Sequence, residues 1–233
     1  MSPYLAEFIG TAILIFLGNG IVANISLNKT KGNNAGLMVI ATGWACAVVV
    51  PALMFGEISG AHFNPALTIA LAIAGTIPWH MAFGYIAAQF GGAILGACFV
   101  YLHYKDHFDA TKDSDAKLSS FSTGPAIRNY PNNFRSEMLA TFVLVFAIFG
   151  INGAELGSVS TFGVGGLIFV IGVGLGGTTG YAINPARDLG PRIVHFLLPI
   201  KNKRDSDWEY AWIPVIGPIV GATLAALLAG VCF

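Results

Sequence analysis

Six long apolar runs restrict what this chain can fold into more than any other feature. They cover residues 4–23, 36–55, 79–101, 135–151, 159–177 and 208–231. A helix needs about 20 mostly apolar residues to cross a hydrocarbon core of about 30 Å, and each run is near that length with few ionised side chains. None shows the period-two alternation of a membrane β-strand. Composition agrees: hydrophobic residues make up 55% and charged residues 10%, against about 25% charged in ordinary globular chains. Mean hydropathy is +0.70. Such a chain cannot cover a soluble surface with charge, so the expectation is an all-α membrane protein with six transmembrane helices. Lys plus Arg and Asp plus Glu balance at twelve each, which leaves no excess charge to attract nucleic acid. The first run does not read as a cleaved signal, because no Lys or Arg precedes it and Glu7 lies inside it.

Other residue types add little. Cys46, Cys98 and Cys232 are an odd number set among apolar residues, and they read as small membrane-buried packers rather than a disulfide framework. His103, Asp106 and His107 lie where an apolar run gives way to a polar loop, and no further ligand completes a metal set. No metal site, cofactor motif or catalytic constellation is read, and the chain is not expected to be an enzyme.

Two further segments, 65–74 and 185–195, are helix-like but span only half the membrane. At 1.5 Å per residue they reach roughly 15 Å. Both open on the same words: Ser59-Gly60-Ala61-His62-Phe63-Asn64-Pro65-Ala66 faces Thr179-Gly180-Tyr181-Ala182-Ile183-Asn184-Pro185-Ala186. Glu7-Phe8-Ile9-Gly10-Thr11 likewise faces Glu137-Met138-Leu139-Ala140-Thr141, and Gly92-x-x-x-Gly96 faces Gly217-x-x-x-Gly221. Each half holds three full spans, an odd number, so the second half enters the membrane from the opposite side. In such an inverted repeat, discontinuous helices meet near the midplane, and irregular backbone at that depth is tolerated only in protein or along a wet cavity. A polar path through the molecule follows. The paired Gly-x-x-x-Gly steps allow close helix approach and are expected to hold the two halves together.

Pro suits the first turn of a helix, and Asn before it can cap. Each half-helix N-terminus carries about +0.5 charge, so two of them aimed at the centre make the midplane hostile to cations and hydronium. Glu7 and Glu137 are expensive inside spans. They read as buried braces that accept N–H bonds from the loops before the half-helices, with a proton relay as the alternative.

Two Asn-Pro-Ala boxes in register within an inverted six-span repeat resemble the aquaporin family over nearly the whole chain. The run Asn184-Pro185-Ala186-Arg187-Asp188, the i,i+4 pair Asp188 and Arg192, and Pro214-Val215 resemble its glycerol-facilitator branch, the aquaglyceroporins. The resemblance implies six spans plus two re-entrant half-helices, arranged as a first repeat over 1–102, a polar extracellular loop over 103–134 and a second repeat over 135–233. That loop, with its aromatics and prolines, is similar to the folded vestibule loop of bacterial members.

By the same resemblance Asn64 and Asn184 both cap their half-helices and donate to passing solute, and the carbonyls of Ala61, His62, Phe63, Gly180, Tyr181 and Ala182 form a ladder of acceptors. Counting from the box asparagines, the selectivity filter falls on Trp44, Gly172, Tyr181 and Arg187. Trp44 and Tyr181 would hold the carbon skeleton of a polyol while the planar fork of Arg187 donates to two hydroxyls. Gly172 would leave room where water-selective relatives place His, and Tyr181 departs from the Phe common in glycerol facilitators. Asp188 joins Glu7 and Glu137 as structural support.

The implied function is passive conduction of glycerol and water, with urea, dihydroxyacetone and protonated short organic acids as further candidates and ions excluded. A mainly water-selective pore is the alternative within the family, and a proton-coupled carrier through Glu7 and Glu137 the alternative outside it. A homotetramer in the cell membrane, with both termini cytoplasmic, is also implied. The positive-inside rule alone favours the opposite orientation, since all twelve Lys and Arg lie in or beside the loops after spans one, three and five. The family arrangement is preferred because Arg187 and Arg192 belong to a half-helix and Asp residues dilute the long loop. A cysteine introduced at Ser114 should react with an impermeant thiol reagent added outside intact cells; labelling only from the cytoplasmic side overturns this topology.

Overall fold

Apolar runs of this length must satisfy their backbone internally, and they do so as helices. The structure, a computed structural model, describes residues 1–154 and 156–233. Ten helices are present among the described residues: α1 (Pro3–Ser26), α2 (Leu37–Ser59), α3 (Pro65–Ile73), α4 (Trp79–His103), α5 (Lys105–Ala110), α6 (Ser114–Ser119), α7 (Tyr130–Gly153), α8 (Val159–Leu175), α9 (Pro185–Leu197) and α10 (Ile213–Cys232). Five of them, α1, α2, α4, α7 and α10, have 20 to 25 residues and are apolar enough to cross a membrane, and α8 has 17. Together they are the six spans, and α3 and α9 are the two half-helices.

Helix ends follow capping chemistry that apolar periodicity does not register. Helix α7 starts at Tyr130, five residues before the apolar run, because Asn129 accepts from the Asn132 N–H at 3.1 Å and Pro131 suits the first turn. Helix α10 starts at Ile213, later than the run beginning at 208, with Pro214 in its first turn. Trp208 and Trp212 instead form exposed turns there. The stretch 103–134 is folded rather than extended. It carries α5, α6 and the start of α7, and it seats Phe108 and Phe121 in the core with ring centroids 5.5 Å apart.

The Gly-x-x-x-Gly steps do not join the two halves. Gly92 and Gly96 on α4 lie against α1, where an added Cβ would come within 2.2 Å of the Phe8 carbonyl and 2.5 Å of the Ala12 carbonyl. Gly221 on α10 lies against α7 in the same way, 2.1 Å from the Met138 carbonyl. Each step therefore fastens the first span of a half to the third span of that same half. The halves meet elsewhere, through α2 against α8 and through each half-helix against the other half's third span, α3 on α10 and α9 on α4. A first and third span that touch backbone to backbone leave the second span and the half-helix free to reach across.

The cysteines are unpaired and are not core packers, since Cys46 and Cys232 are exposed and Cys98 is half-buried. Their apolar neighbourhood is the outer surface of the bundle.

Replacing Gly221 by Val should cut the yield of folded protein severely, because overpacking costs about 1–3 kcal/mol even where neighbours can move, and here the neighbour is backbone. Gly230→Ala, with nothing within 4 Å of its added Cβ, should leave yield and Tm in detergent unchanged. Equal yields for the two variants would show that the close approach is not what holds α10 to α7.

Candidate functional site

Between α2 and α3, and again between α8 and α9, the chain runs as a short non-helical arm at membrane depth. Ala61, Phe63, Tyr181 and Ile183 in these arms have φ of 50°, 48°, 39° and 46°, and Gly60 and Gly180 both have φ of 81°. A left-handed residue with a Cβ costs about 1–2 kcal/mol. Alternating it with right-handed neighbours turns successive peptide planes the same way, so their carbonyls can share one side. The buried carboxylates hold this shape. Glu7 Oε1 accepts from the His62 N–H at 2.9 Å and the Ser59 hydroxyl at 2.7 Å, and Oε2 accepts from the Phe63 N–H and the Gln89 amide, both at 2.8 Å. Glu137 accepts from the N–H groups of Ala182 at 3.0 Å and Ile183 at 2.9 Å. Both side chains are fully buried, where charge-assisted bonds to N–H are roughly twice as strong as neutral ones.

The arms end on the two asparagines, and each side chain does two jobs. Asn64 Oδ1 caps α3 by accepting from Ala66 N–H at 2.9 Å, and Asn184 Oδ1 caps α9 by accepting from Ala186 and Arg187 N–H at 3.0 and 3.1 Å. The amides then cross over. Asn64 Nδ2 donates to the Ile183 carbonyl and Asn184 Nδ2 donates to the Phe63 carbonyl, each at 2.8 Å. One N–H remains on each amide, and both asparagines line the central cavity. The Phe63 carbonyl, one of the expected acceptors, therefore already accepts one hydrogen bond and keeps its second lone pair. The carbonyls of Ala61, His62, Gly180, Tyr181 and Ala182 accept no hydrogen bond from a described residue.

At the mouth beside α9, Arg187 lies with its guanidinium carbon 4.2 Å from the Trp44 ring centroid, a cation–π contact. Its Nη1 donates to Asn19 Oδ1 at 3.2 Å and reaches the Phe121 carbonyl at 3.4 Å. Asp188 and Arg192 are paired with both side chains fully buried. Asp188 also accepts from the Thr123 N–H and hydroxyl at 2.7 Å, and Arg192 donates to the carbonyls of Thr123 and Ser206. That network clasps residues 121–123 of the long loop over α9 and so fixes the Phe121 carbonyl beside Arg187.

Gly172 does not face the cavity. The Tyr181 ring fills the room it leaves, and a Cβ on Gly172 would sit 3.0 Å from both Cζ and Oη of Tyr181. The Tyr181 hydroxyl is buried there without a hydrogen-bond partner among the described residues. Gly172 therefore acts through Tyr181, by letting its ring lie back against α8.

The cavity running inward from Arg187 carries Trp44, Tyr181, Asn64, Asn184 and His62, with Leu14, Val48, Leu144, Ile148, Val164 and Ile168 as its apolar side. A second cavity, reaching Glu57, Asn152 and Ser160, shares Val48, Ala61, His62, Leu67, Ile148 and Val164 with the first. The two cavities adjoin at these shared residues, with the arms on their polar side and aliphatic side chains opposite. Three polar side chains in this assembly were not singled out by sequence reasoning: Asn19, Gln89 and Thr68, the last two hydrogen-bonded to each other at 2.8 Å. Their signal was present, since each is a polar residue inside an apolar helix. The length of apolar runs, which locates the helices, does not rank such residues.

Comparison with known proteins agrees with this architecture. The chain is 53% identical to a probable glycerol uptake facilitator protein of Thermotoga maritima, over 98% of each chain. It is also 53% identical to a glycerol uptake facilitator protein of Streptococcus pneumoniae, again over 98% of each. The crystal structure of the aquaglyceroporin from Plasmodium falciparum superposes with a TM-score of 0.83 at 29% identity, covering 97% of this chain and 93% of that one. The family model described as major intrinsic protein matches residues 1–229. With two crossed Asn-Pro-Ala half-helices, a central cavity lined by both boxes and this match along almost its whole length, the chain belongs to the major intrinsic protein family.

Proposed function

We propose that the protein is a passive membrane channel for glycerol and similar small neutral solutes, with water passing alongside and ions excluded. The observation that carries this reading is the two-sided path, in which free carbonyls and the two asparagine amides lie along one side and aliphatic side chains along the other. A polyol has the same division, hydroxyls on one edge and carbon on the other. A solute stripped of water at roughly 1–3 kcal/mol per unpaired polar group finds replacements only on the polar side. The relatives named as glycerol uptake facilitators support the same substrate.

Arg187, Trp44 and Tyr181, with Gly172 behind Tyr181, form the filter in this reading. Arg187 offers hydroxyls its N–H groups, and together with the two half-helix N-termini it repels cations. Glu7 and Glu137 serve as braces, which suits a pore better than a carrier because their oxygens already hold the arms. A homotetramer with one path per subunit, placed in the cell membrane with both termini cytoplasmic, completes the proposal. Urea, dihydroxyacetone and protonated short organic acids are small enough to be tested as further solutes.

Stopped-flow light scattering on reconstituted vesicles tests the function. Glycerol re-swelling should be fast, proportional to the glycerol gradient and indifferent to an imposed pH gradient. Water shrinkage without glycerol re-swelling would make this a water channel, and re-swelling that follows the pH gradient would make it a proton-coupled carrier. In the same assay Tyr181→Phe should leave the glycerol-to-water permeability ratio within about twofold, because the hydroxyl it removes is buried against α8 beside Gly172 and makes no hydrogen bond to a described residue. A larger change would mean that this hydroxyl turns into the path during conduction.

A further inference from the structure

The internal repeat is broken at two positions that meet in space. Where the second half-helix has Arg187, the first has Leu67. Where the first span of the first half has Asn19, the matching position of the second half is Phe149. Neither departure is explained by the symmetric scaffold of carboxylates and asparagines, and the two side chains are in contact.

Asn19 lies on α1 and is fully buried. A buried amide in a membrane span is costly unless its donor and its acceptor are both engaged, and here both are. Asn19 Nδ2 donates to the Phe121 carbonyl at 2.9 Å, while Oδ1 accepts from Arg187 Nη1 at 3.2 Å. Nη1 also lies 3.4 Å from that same carbonyl, so α1, the long loop and α9 close a triangle. A carbonyl only accepts and a guanidinium only donates. A side chain between them must therefore donate to one and accept from the other. Aspartate lacks the donor and leucine lacks both.

We propose that Asn19 is a positioning residue that aims Arg187 into the channel, an inference that rests on the filter reading above. An arginine side chain carries about 2 kcal/mol of rotamer entropy, and a lone stack on Trp44 leaves it free to slide in the plane of the ring. The bonds from Nη1 lock it in that plane. Arg187 Nε and Nη2 make no hydrogen bond to a described residue, so these N–H groups remain to meet a solute. The neighbouring Gly18 completes the arrangement, since an added Cβ there would stand 2.3 Å from Trp44 Cζ3. The pair Gly18-Asn19 thus seats both the aromatic and the arginine.

The experiment is a double-mutant cycle on full-length protein in vesicles, reading the glycerol-to-water permeability ratio for wild type, Arg187→Ala, Asn19→Leu and the double variant. Asn19→Leu should shift the ratio about three- to tenfold, the size expected for losing one ordinary net hydrogen bond, in the same direction as Arg187→Ala. It should add nothing in the Arg187→Ala background. If Asn19→Leu does not accumulate, Asn19→Ser, polar but too short to bridge both partners, carries the same comparison. A role in packing alone would lower both fluxes together at an unchanged ratio, or act equally with and without Arg187, and either result overturns the proposal. If Arg187→Ala itself leaves the ratio at the wild-type value, the filter reading fails and takes this inference with it. If Arg187→Ala moves the ratio and Asn19→Leu does not, only the inference fails.

Discussion

Everything at the centre of this molecule depends on backbone placed where neither lipid nor a helix can satisfy it. Two non-helical arms run at membrane depth, each with non-glycine residues in the left-handed region, and lipid offers no hydrogen bonds to compensate. The chain meets this constraint with four side chains. Glu7 and Glu137 take the inward N–H groups of the arms, and Asn64 and Asn184 cap their own half-helices while donating across to the opposite arm. With the N–H groups held from behind, the carbonyls of Ala61, His62, Tyr181 and Ala182 are left without partners among the described residues, on residues that line the cavity. The same constraint thus makes the structure stable and makes its interior polar.

On this nearly symmetric frame, the two ends differ. The arm of the first half is backed by a chain of side chains that runs from the His62 ring through Thr68 and Gln89 to Glu7. The matching place of Gln89 in the second half is Pro214, and there the support comes from outside instead. Asp188 and Arg192 form a fully buried pair that is fastened to the long loop and to the segment before α10. Removing one member of a buried pair leaves an uncompensated charge, so the clasp is strongly cooperative. It brings the Phe121 carbonyl to Arg187 and ties residues 121–123 of the long loop to α9.

Several features were readable in advance because they are local. Asn before Pro marks a half-helix start whatever surrounds it, and a Glu inside a span announces a buried partner. Trp44, Tyr181 and Arg187 came from the resemblance to the family, counted from the boxes, and all three line the cavity. The same resemblance gave Gly172, and in the structure the Tyr181 ring occupies the space beside it. The glycine steps on α4 and α10 announced close helix contact correctly and named the wrong partner. A small residue declares that something comes near, and it does not say what.

By itself the sequence determined six spans, two half-spans and their inverted order, because each of these is written in apolar run length, capping residues and repeated words within a few positions of one another. Tertiary structure alone decided which helices pair, which carbonyl the Asn184 amide consumes, where the Tyr181 hydroxyl points and what holds Arg187. The physical reason is range. Asn184 and Phe63 are 121 residues apart, and Arg187 and Asn19 are 168 apart. No periodicity carries information over such distances, whereas a hydrogen bond of about 3 Å forms only after the whole bundle has closed.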